Sequence, residues 1–247
     1  MNVVKVMGGL GNQLFQYAFS KYLEKYGPVG LDIDFYNSED NHTEDIPPRE
    51  FLLDRFDIDF TITDEKHDIV NEEDFTDQEY HDKYFWGYWQ ENVDVDCLKK
   101  LDLDIKLKDE HITEEVYDVL CDILHDNFDA IGVHVRRGDY LKLGWALDMD
   151  YYKRAMDFIK SKLDDPKFYV FTDDVEYCEN NFPGCRIISI GPVEDFYLMS
   201  MCGGFNIIAN STFSWWAAFL NHRKRGVIQP IDWKYTGNPP RQFGRFM

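Results

Sequence analysis

From residue 131 onward, short runs rich in β-branched and aromatic residues recur at regular intervals: Ile131 to Val135, Phe168 to Phe171, Arg186 to Ile190, Phe205 to Ala209 and Val227 to Gln229. Runs of this length bounded by turn residues predict buried strands. Between them, Asp150 to Leu163 places Tyr151, Ala155, Phe158 and Ile159 at helical spacing. Val175 to Asn181, Glu194 to Cys202 and the stretch after Thr212 predict further helices. Strands alternating with helices imply a parallel sheet with helices on both faces. The start of the chain repeats the pattern once: a strand Val3 to Met7, a glycine turn, a helix Gln13 to Tyr26 with Leu14, Tyr17, Ala18 and Leu23 on one side, and a second strand Val29 to Phe35. Residues 36 to 128 are less regular. Pro47-Pro48 marks a turn, Asp54 to Asp82 mixes acidic and apolar residues as short elements and solvated loops do, and Glu114 to Phe128 reads as an amphipathic helix leading into the central strand.

Composition narrows the class. At 247 residues with 44% hydrophobic and 16% aromatic content, the chain is long enough for one large domain or two small ones, each with its own core. No run reaches the roughly 18 to 20 apolar residues of a membrane span, and the opening residues read as strand and turn, not as a signal peptide. The five cysteines form no CxxC pair and are expected to be reduced thiols of a cytosolic protein. A net charge of −20 argues against nucleic acid and anionic membranes as partners. That charge is unevenly placed. Residues 1 to 130 hold 33 acidic and 11 basic side chains, and residues 131 to 247 hold 13 and 15. Two units with different ligands are implied, an acidic one suited to a neutral ligand and a near-neutral one able to hold an anion.

The anion site is expected after the strand Ile131 to Val135. There Arg136-Arg137-Gly138-Asp139 places two guanidinium forks, a glycine and a carboxylate at a strand end, where ligands bind in open α/β sheets. A guanidinium matches two phosphate oxygens at once, which points to a phosphate or pyrophosphate. A solvated arginine pair is the plain alternative. An adhesion tripeptide Arg137-Gly138-Asp139 would need an exposed loop tip in a secreted protein. Thr172-Asp173-Asp174 ends another strand, where its carboxylates could meet a purine edge, a ribose or the N-terminus of the next helix. Asn210, Ser211 and Thr212 are capping residues whose hydroxyls, with the helix's free N–H groups, form a second anion site. Gly8-Gly9-Leu10-Gly11-Asn12, followed by Asp32 and Asp34, approaches a dinucleotide fingerprint, but the third glycine fails. Asp-x-Asp recurs at 32/34, 57/59, 94/96, 102/104 and 148/150, and in so acidic a chain it marks solvent faces sooner than a metal site. Tyr84 to Gln90 is an aromatic cluster that either stacks on sugar rings or, the favoured reading, forms core.

Three stretches together resemble the bacterial α-1,2-fucosyltransferases of glycosyltransferase family 11: His134-Val135-Arg136-Arg137-Gly138-Asp139-Tyr140, Gly8 to Tyr17, and Ile207 to Ala217. The Phe171-Thr172-Asp173-Asp174 strand end is similar too. The resemblance implies a GT-B-like α/β fold, two Rossmann-like domains with parallel sheets facing a cleft, here residues 1–130 on the acceptor side and 131–247 binding the donor. It implies inverting transfer of L-fucose from GDP-β-L-fucose to the 2-hydroxyl of a galactose-type residue in an oligosaccharide or glycolipid-linked glycan. Another GDP-sugar transferase and a non-catalytic nucleotide-sugar-binding module are the alternatives. By the same resemblance Arg136 clamps the pyrophosphate with His134 and Arg137 beside it, and Asp139 orients the loop. Asp173 or Asp174 reads guanine or ribose, and Asn210, Ser211, Thr212 and Ser214 surround phosphate oxygens. Gly9 and Gly11 belong to the glycine loop, from which Asn12 reaches across the cleft. Neither cofactor nor metal is expected, nor stable membrane insertion. The placement implied is cytoplasmic, at most peripheral at the inner membrane face. A general base would be sought among Asp148, Asp150 and Glu91, and none is expected to matter as much as Arg136.

Overall fold

The computed structural model describes residues 1–42, 47–93 and 95–231 and the backbone of 245–246. The chain divides into two compact units between Lys106 and Leu107. The sequence-derived division places the helix Glu114–Asp126 in the first unit. In the structure that helix packs against elements of the second, because its apolar stripe Val116, Val119, Leu120 and Ile123 is buried there.

The first unit carries β1 (Asn2–Lys5), α1 (Leu10–Leu23), β2 (Val29–Asp32), β3 (Asp68–Asn71), β4 (Lys83–Trp86) and α2 (Val95–Leu101). Its four strands are all parallel in the order β2-β1-β4-β3. Helix α1 starts at Leu10, earlier than the sequence predicts, since the Gly9 carbonyl already accepts the N–H groups of Asn12 and Gln13 at 2.9 and 3.0 Å. Strand β2 stops at Asp32, short of the predicted Phe35. There the Asp32 carboxylate accepts the Asp34 N–H at 2.8 Å and bends the chain away. The core of this unit is aromatic. Phe19 lies flat on Trp89, with ring centroids 3.8 Å apart, and Phe75 and Phe85 meet both rings edge-on. Two fully buried glutamines of α1 tie this core to the loops. Gln13 donates to the carbonyls of Gly8 and Glu50 and accepts the Leu52 N–H, while Gln16 accepts the Met7 N–H and donates to the Gly87 carbonyl. Buried amides persist only when satisfied in this way.

The second unit contains α3 (Glu114–Asp126), β5 (Ala130–Val135), α4 (Gly138–Leu143), α5 (Met149–Lys160), β6 (Lys167–Thr172), α6 (Val175–Asn181), β7 (Arg186–Ile188), α7 (Pro192–Met201), β8 (Phe205–Ile207), α8 (Thr212–Leu220), β9 (Gly226–Gln229) and β10 (Arg245–Phe246). Six parallel strands run in the order β10-β9-β8-β5-β6-β7. Helix α7 begins at Pro192 because proline suits a first helical position, where its missing N–H has no partner to lose. On one face Gly132 of β5 lies opposite Asn206 of β8, and a Cβ at Gly132 would sit 2.7 Å from the Asn206 amide nitrogen. That amide donates to the Met199 carbonyl, and its oxygen accepts from Asn221, which also donates to Cys202. The glycine therefore makes room for a polar strut.

Asp195 is buried in α7, where it accepts the Ile190 N–H at 3.0 Å. Burial pushes its carboxyl up to about 7, against the opposing backbone hydrogen bonds of Ile190 and Gly191. A carboxyl raised on folding adds stability below its ordinary value of about 4, and the contribution is lost as pH rises through about 7. We expect urea unfolding at pH 5 and pH 8 to show wild type losing stability between the two, and Asp195→Asn to lose clearly less. An equal loss in both proteins would remove Asp195 as the cause.

Candidate active site

In an open parallel sheet the ligand crevice opens where the strand order reverses, beyond the carboxyl ends of the strands on either side. In the second unit the chain proceeds from β5 outward to β6 and β7, then returns to β8 on the other side of β5. The reversal therefore lies between β5 and β8. The residues that follow these strands are Arg136 to Asp139 and Ile208 to Thr212.

The arginine pair is held by carboxylates from the neighbouring strand. Val135 of β5 pairs with Thr172 of β6, so Arg136 and Arg137 leave the sheet beside Asp173 and Asp174. Arg136 donates from Nη2 to Asp139 at 2.7 Å and lies 2.8 Å from Asp173 through Nη1. Arg137 donates from Nε to Asp174 at 2.9 Å and from its backbone N–H to Asp173 at 2.8 Å. Its guanidinium also stacks 3.3 Å from the centroid of Tyr177. Asp174 in addition caps α6 by accepting the Tyr177 N–H at 3.1 Å, and the Arg137 hydrogen bond leads the effects holding its carboxyl below the ordinary range. The helix-cap reading of this strand end holds for Asp174, and the structure adds a further role for Asp173 and Asp174: these carboxylates orient the arginines.

His134 is the penultimate residue of β5, tilted against Phe213 at 4.9 Å. Burial, with Arg136 nearby, pushes its imidazole down to about 3, so it is neutral at physiological pH. Its buried Nδ1 has no hydrogen-bond partner among the described residues. Asn210 is fully buried and donates to the Trp145 carbonyl at 3.1 Å, while its own carbonyl accepts from Tyr140 at 3.4 Å. The Asn210 side-chain oxygen is also buried without a partner among the described residues. These contacts tie the loop after β8 to α4. Ser211 occupies the N-cap position of α8 but makes no side-chain capping bond, contrary to its sequence reading, and Thr212 is the first residue of the helix. Ser214 is buried in the turn. It donates to the Ser211 carbonyl and accepts the Ala209 N–H, so its hydroxyl has a structural duty.

The first unit repeats the topology. Its strand order reverses between β1 and β4, and the loops that follow these strands carry Gly8-Gly9 and Gly87 to Glu91. Gly8 has φ +79°, a left-handed backbone that favours glycine, and a Cβ there would come within 2.8 Å of the Asn12 amide nitrogen. Gly9 is the N-cap of α1, and Gly11 lies buried in its first turn. Asn12 accepts from the Gln90 amide at 3.2 Å. The aromatic cluster is divided: Tyr84, Phe85 and Trp89 are core, whereas Trp86 and Tyr88 are 43% and 41% exposed. Trp89, at φ +61°, produces that division by turning the backbone between Tyr88 and Gln90. The Lys5 ammonium sits 4.2 Å over the Trp86 ring.

The description of glycosyl transferase family 11 matches residues 1–236. The chain belongs to that family. The O-antigen biosynthesis glycosyltransferase WbnK of Escherichia coli is 31% identical over 94% of each chain, and an alpha-1,2-colitosyltransferase of the same organism is 29% identical over 94% of this chain and 91% of that one. Among solved structures, NodZ alpha-1,6-fucosyltransferase soaked with GDP-fucose superimposes with a TM-score of 0.56 over 93% of this chain and 94% of that one, at 15% identity. The likeness is one of fold, and it identifies two parallel α/β units of the GT-B class.

In this family 11 chain several side chains at the site escape a reading by local pattern. Tyr177, stacked on Arg137, was legible only as part of a helix after Asp174. Asp32 is buried, and against that burial Lys66, Tyr84 and the Asp34 N–H hold its carboxyl below the ordinary range, so it serves the first sheet. Asp148 is the N-cap of α5 without a side-chain capping bond, and Asp148, Asp150 and Glu91 are all exposed. Asp94 lies outside the described residues. Among the described residues no group of three His, Cys, Asp or Glu side chains is arranged to hold a metal ion, and no helix is long and apolar enough to cross a membrane.

Proposed function

We propose that this glycosyltransferase moves L-fucose from GDP-β-L-fucose to the 2-hydroxyl of a galactose-type residue in an oligosaccharide or glycolipid-linked glycan, with inversion, on the cytoplasmic side. The arginine pair at the β5/β8 reversal carries the reading. Arg136 is the clamp for the departing diphosphate, with Arg137, Asn210, Ser211 and Thr212 around it. Negative charge grows on the β-phosphate as the bond to C1 breaks, and a guanidinium already fixed in place stabilises that charge without reorganising. His134 contributes a neutral hydrogen-bonding edge. The acceptor hydroxyl attacks C1 from the opposite face, and an oxocarbenium-like transition state allows its proton to leave late, to phosphate or water. The GDP-fucose in the NodZ structure supports the donor, and the name of the E. coli colitosyltransferase supports the α-1,2 linkage. That same relative favours a second reading, transfer of another deoxysugar from its GDP form, which turnover of GDP-fucose beside GDP-mannose and GDP-colitose would separate. GDP release in the presence of a galactose-ended acceptor excludes a non-catalytic binding module.

In this reading the acceptor binds at the β1/β4 reversal. Tyr88 and Trp86 offer ring faces to a pyranose, and Asn12 and Gln90 offer amides to its hydroxyls. Three outcomes are expected. Arg136→Lys keeps the charge but loses the two-pronged fork, and should cost about 2 to 4 kcal/mol of transition-state stabilisation, read as a roughly 30- to 900-fold fall in kcat/KM. A folded variant with wild-type turnover would dismiss the clamp. Tyr88→Ala should raise the acceptor KM roughly fivefold, about 1 kcal/mol of lost ring contact, while GDP affinity holds. Unchanged acceptor kinetics would move the acceptor elsewhere. Activity should survive a chelator such as EDTA, since the arginines supply the positive charge. Abolition by the chelator with rescue by manganese would require a metal.

A further inference from the structure

Three carboxylates surround the two guanidinium groups, a surplus of negative charge at a place read here as a diphosphate site. Two of them have duties that a ligand need not disturb. Asp139 is buried and lies within one turn of Arg136, and Asp174 caps α6 while holding Arg137 from the side. Asp173 differs. Its Oδ2 takes one edge of the Arg136 guanidinium and its Oδ1 takes the Arg137 backbone N–H. A guanidinium edge next to a backbone N–H is the donor set that two phosphate oxygens would use. The approach is also built in. A Cβ at Gly138 would stand 2.6 Å from Asp173 Oδ2, and Gly138 has no left-handed φ to require glycine, so the missing side chain serves to admit the carboxylate.

We propose that Asp173 is a displaceable stand-in for the diphosphate, a positioning residue that keeps Arg136 and the Arg137 N–H aligned when the site is empty. The donor's phosphates displace it, and on return it competes with GDP for the same donors. The site thereby holds its product less tightly than two arginines alone would. This rests on the reading of Arg136 as the diphosphate clamp.

The experiment measures binding of GDP and of inorganic pyrophosphate by calorimetry, with kcat and donor KM, for wild type, Asp173→Asn and Gly138→Ala. Asp173→Asn keeps an acceptor for the Arg137 N–H but removes the competing charge. It should tighten both ligands by roughly tenfold, the scale of one neighbouring charge at a partly exposed site, and should lower the donor KM. Gly138→Ala should tighten both to a lesser degree by pushing the carboxylate off Arg136. Weaker GDP with unchanged pyrophosphate in Asp173→Asn would make Asp173 a reader of the nucleoside and overturn the proposal. Weaker binding of both ligands would make it a scaffold for Arg136, and unchanged affinities would remove it from the site. Either result also overturns the proposal. If Asp173→Asn does not fold, Gly138→Ala decides alone, and wild-type affinities there overturn the idea. A wild-type protein that binds neither ligand would instead sink the clamp reading, and this inference with it.

Discussion

Everything distinctive about the second unit depends on the register between β5 and β6. Because Val135 stands beside Thr172, the next residues of each strand leave the sheet side by side, and Arg136 meets Asp173 while Arg137 meets Asp174. A slip of one residue would reverse every side chain on the strand and break both pairs. All six residues of β5 are buried, so the strand is packed on both faces. The strand pairing thus positions the charges to within a hydrogen bond. Guanidinium groups held by carboxylates and a tyrosine ring have already lost their side-chain freedom before any ligand arrives, which is the condition under which electrostatic stabilisation is strongest.

The two units share one topological device and line it with different side chains. Each sheet is wholly parallel, and each reverses its strand order next to the strand that precedes its glycine-bearing motif. In the second unit the reversal is lined by arginines, a neutral buried histidine and a helix start. In the first it is lined by amides and exposed aromatic rings, within a segment whose charge is strongly negative. A neutral, hydroxyl-rich ligand suits the first lining, and a diphosphate suits the second.

Much of this was legible in the sequence because it is local. Strand and helix periodicity from residue 131 onward gave the order of the elements, with ends displaced by a few residues where a cap or an Asx turn intervened. The arginine motif stood out because charged forks directly after a buried apolar run must emerge at the end of a strand. The uneven charge pointed to two units.

Only the tertiary structure decided what those residues touch. Asp173 and Asp174, which brace Arg136 and Arg137 from the neighbouring strand, lie 36 and 37 positions beyond Arg137, and no local period connects them to the arginines. The aromatic run of β4 could not be sorted into core and surface until the left-handed backbone of Trp89 sent that ring inward and left Tyr88 outside. Gln13 and Gln16 are polar residues of a helix, and nothing in their spacing marks them as the fully buried struts between loops that they are. Ser214 sits in a motif that resembles a ligand site and spends its hydroxyl on the turn. The physical reason is common to all four. A sequence records which groups are apolar or charged and at what spacing, whereas the partner of a buried polar group is set by which distant strands and loops the packing of the core brings alongside it.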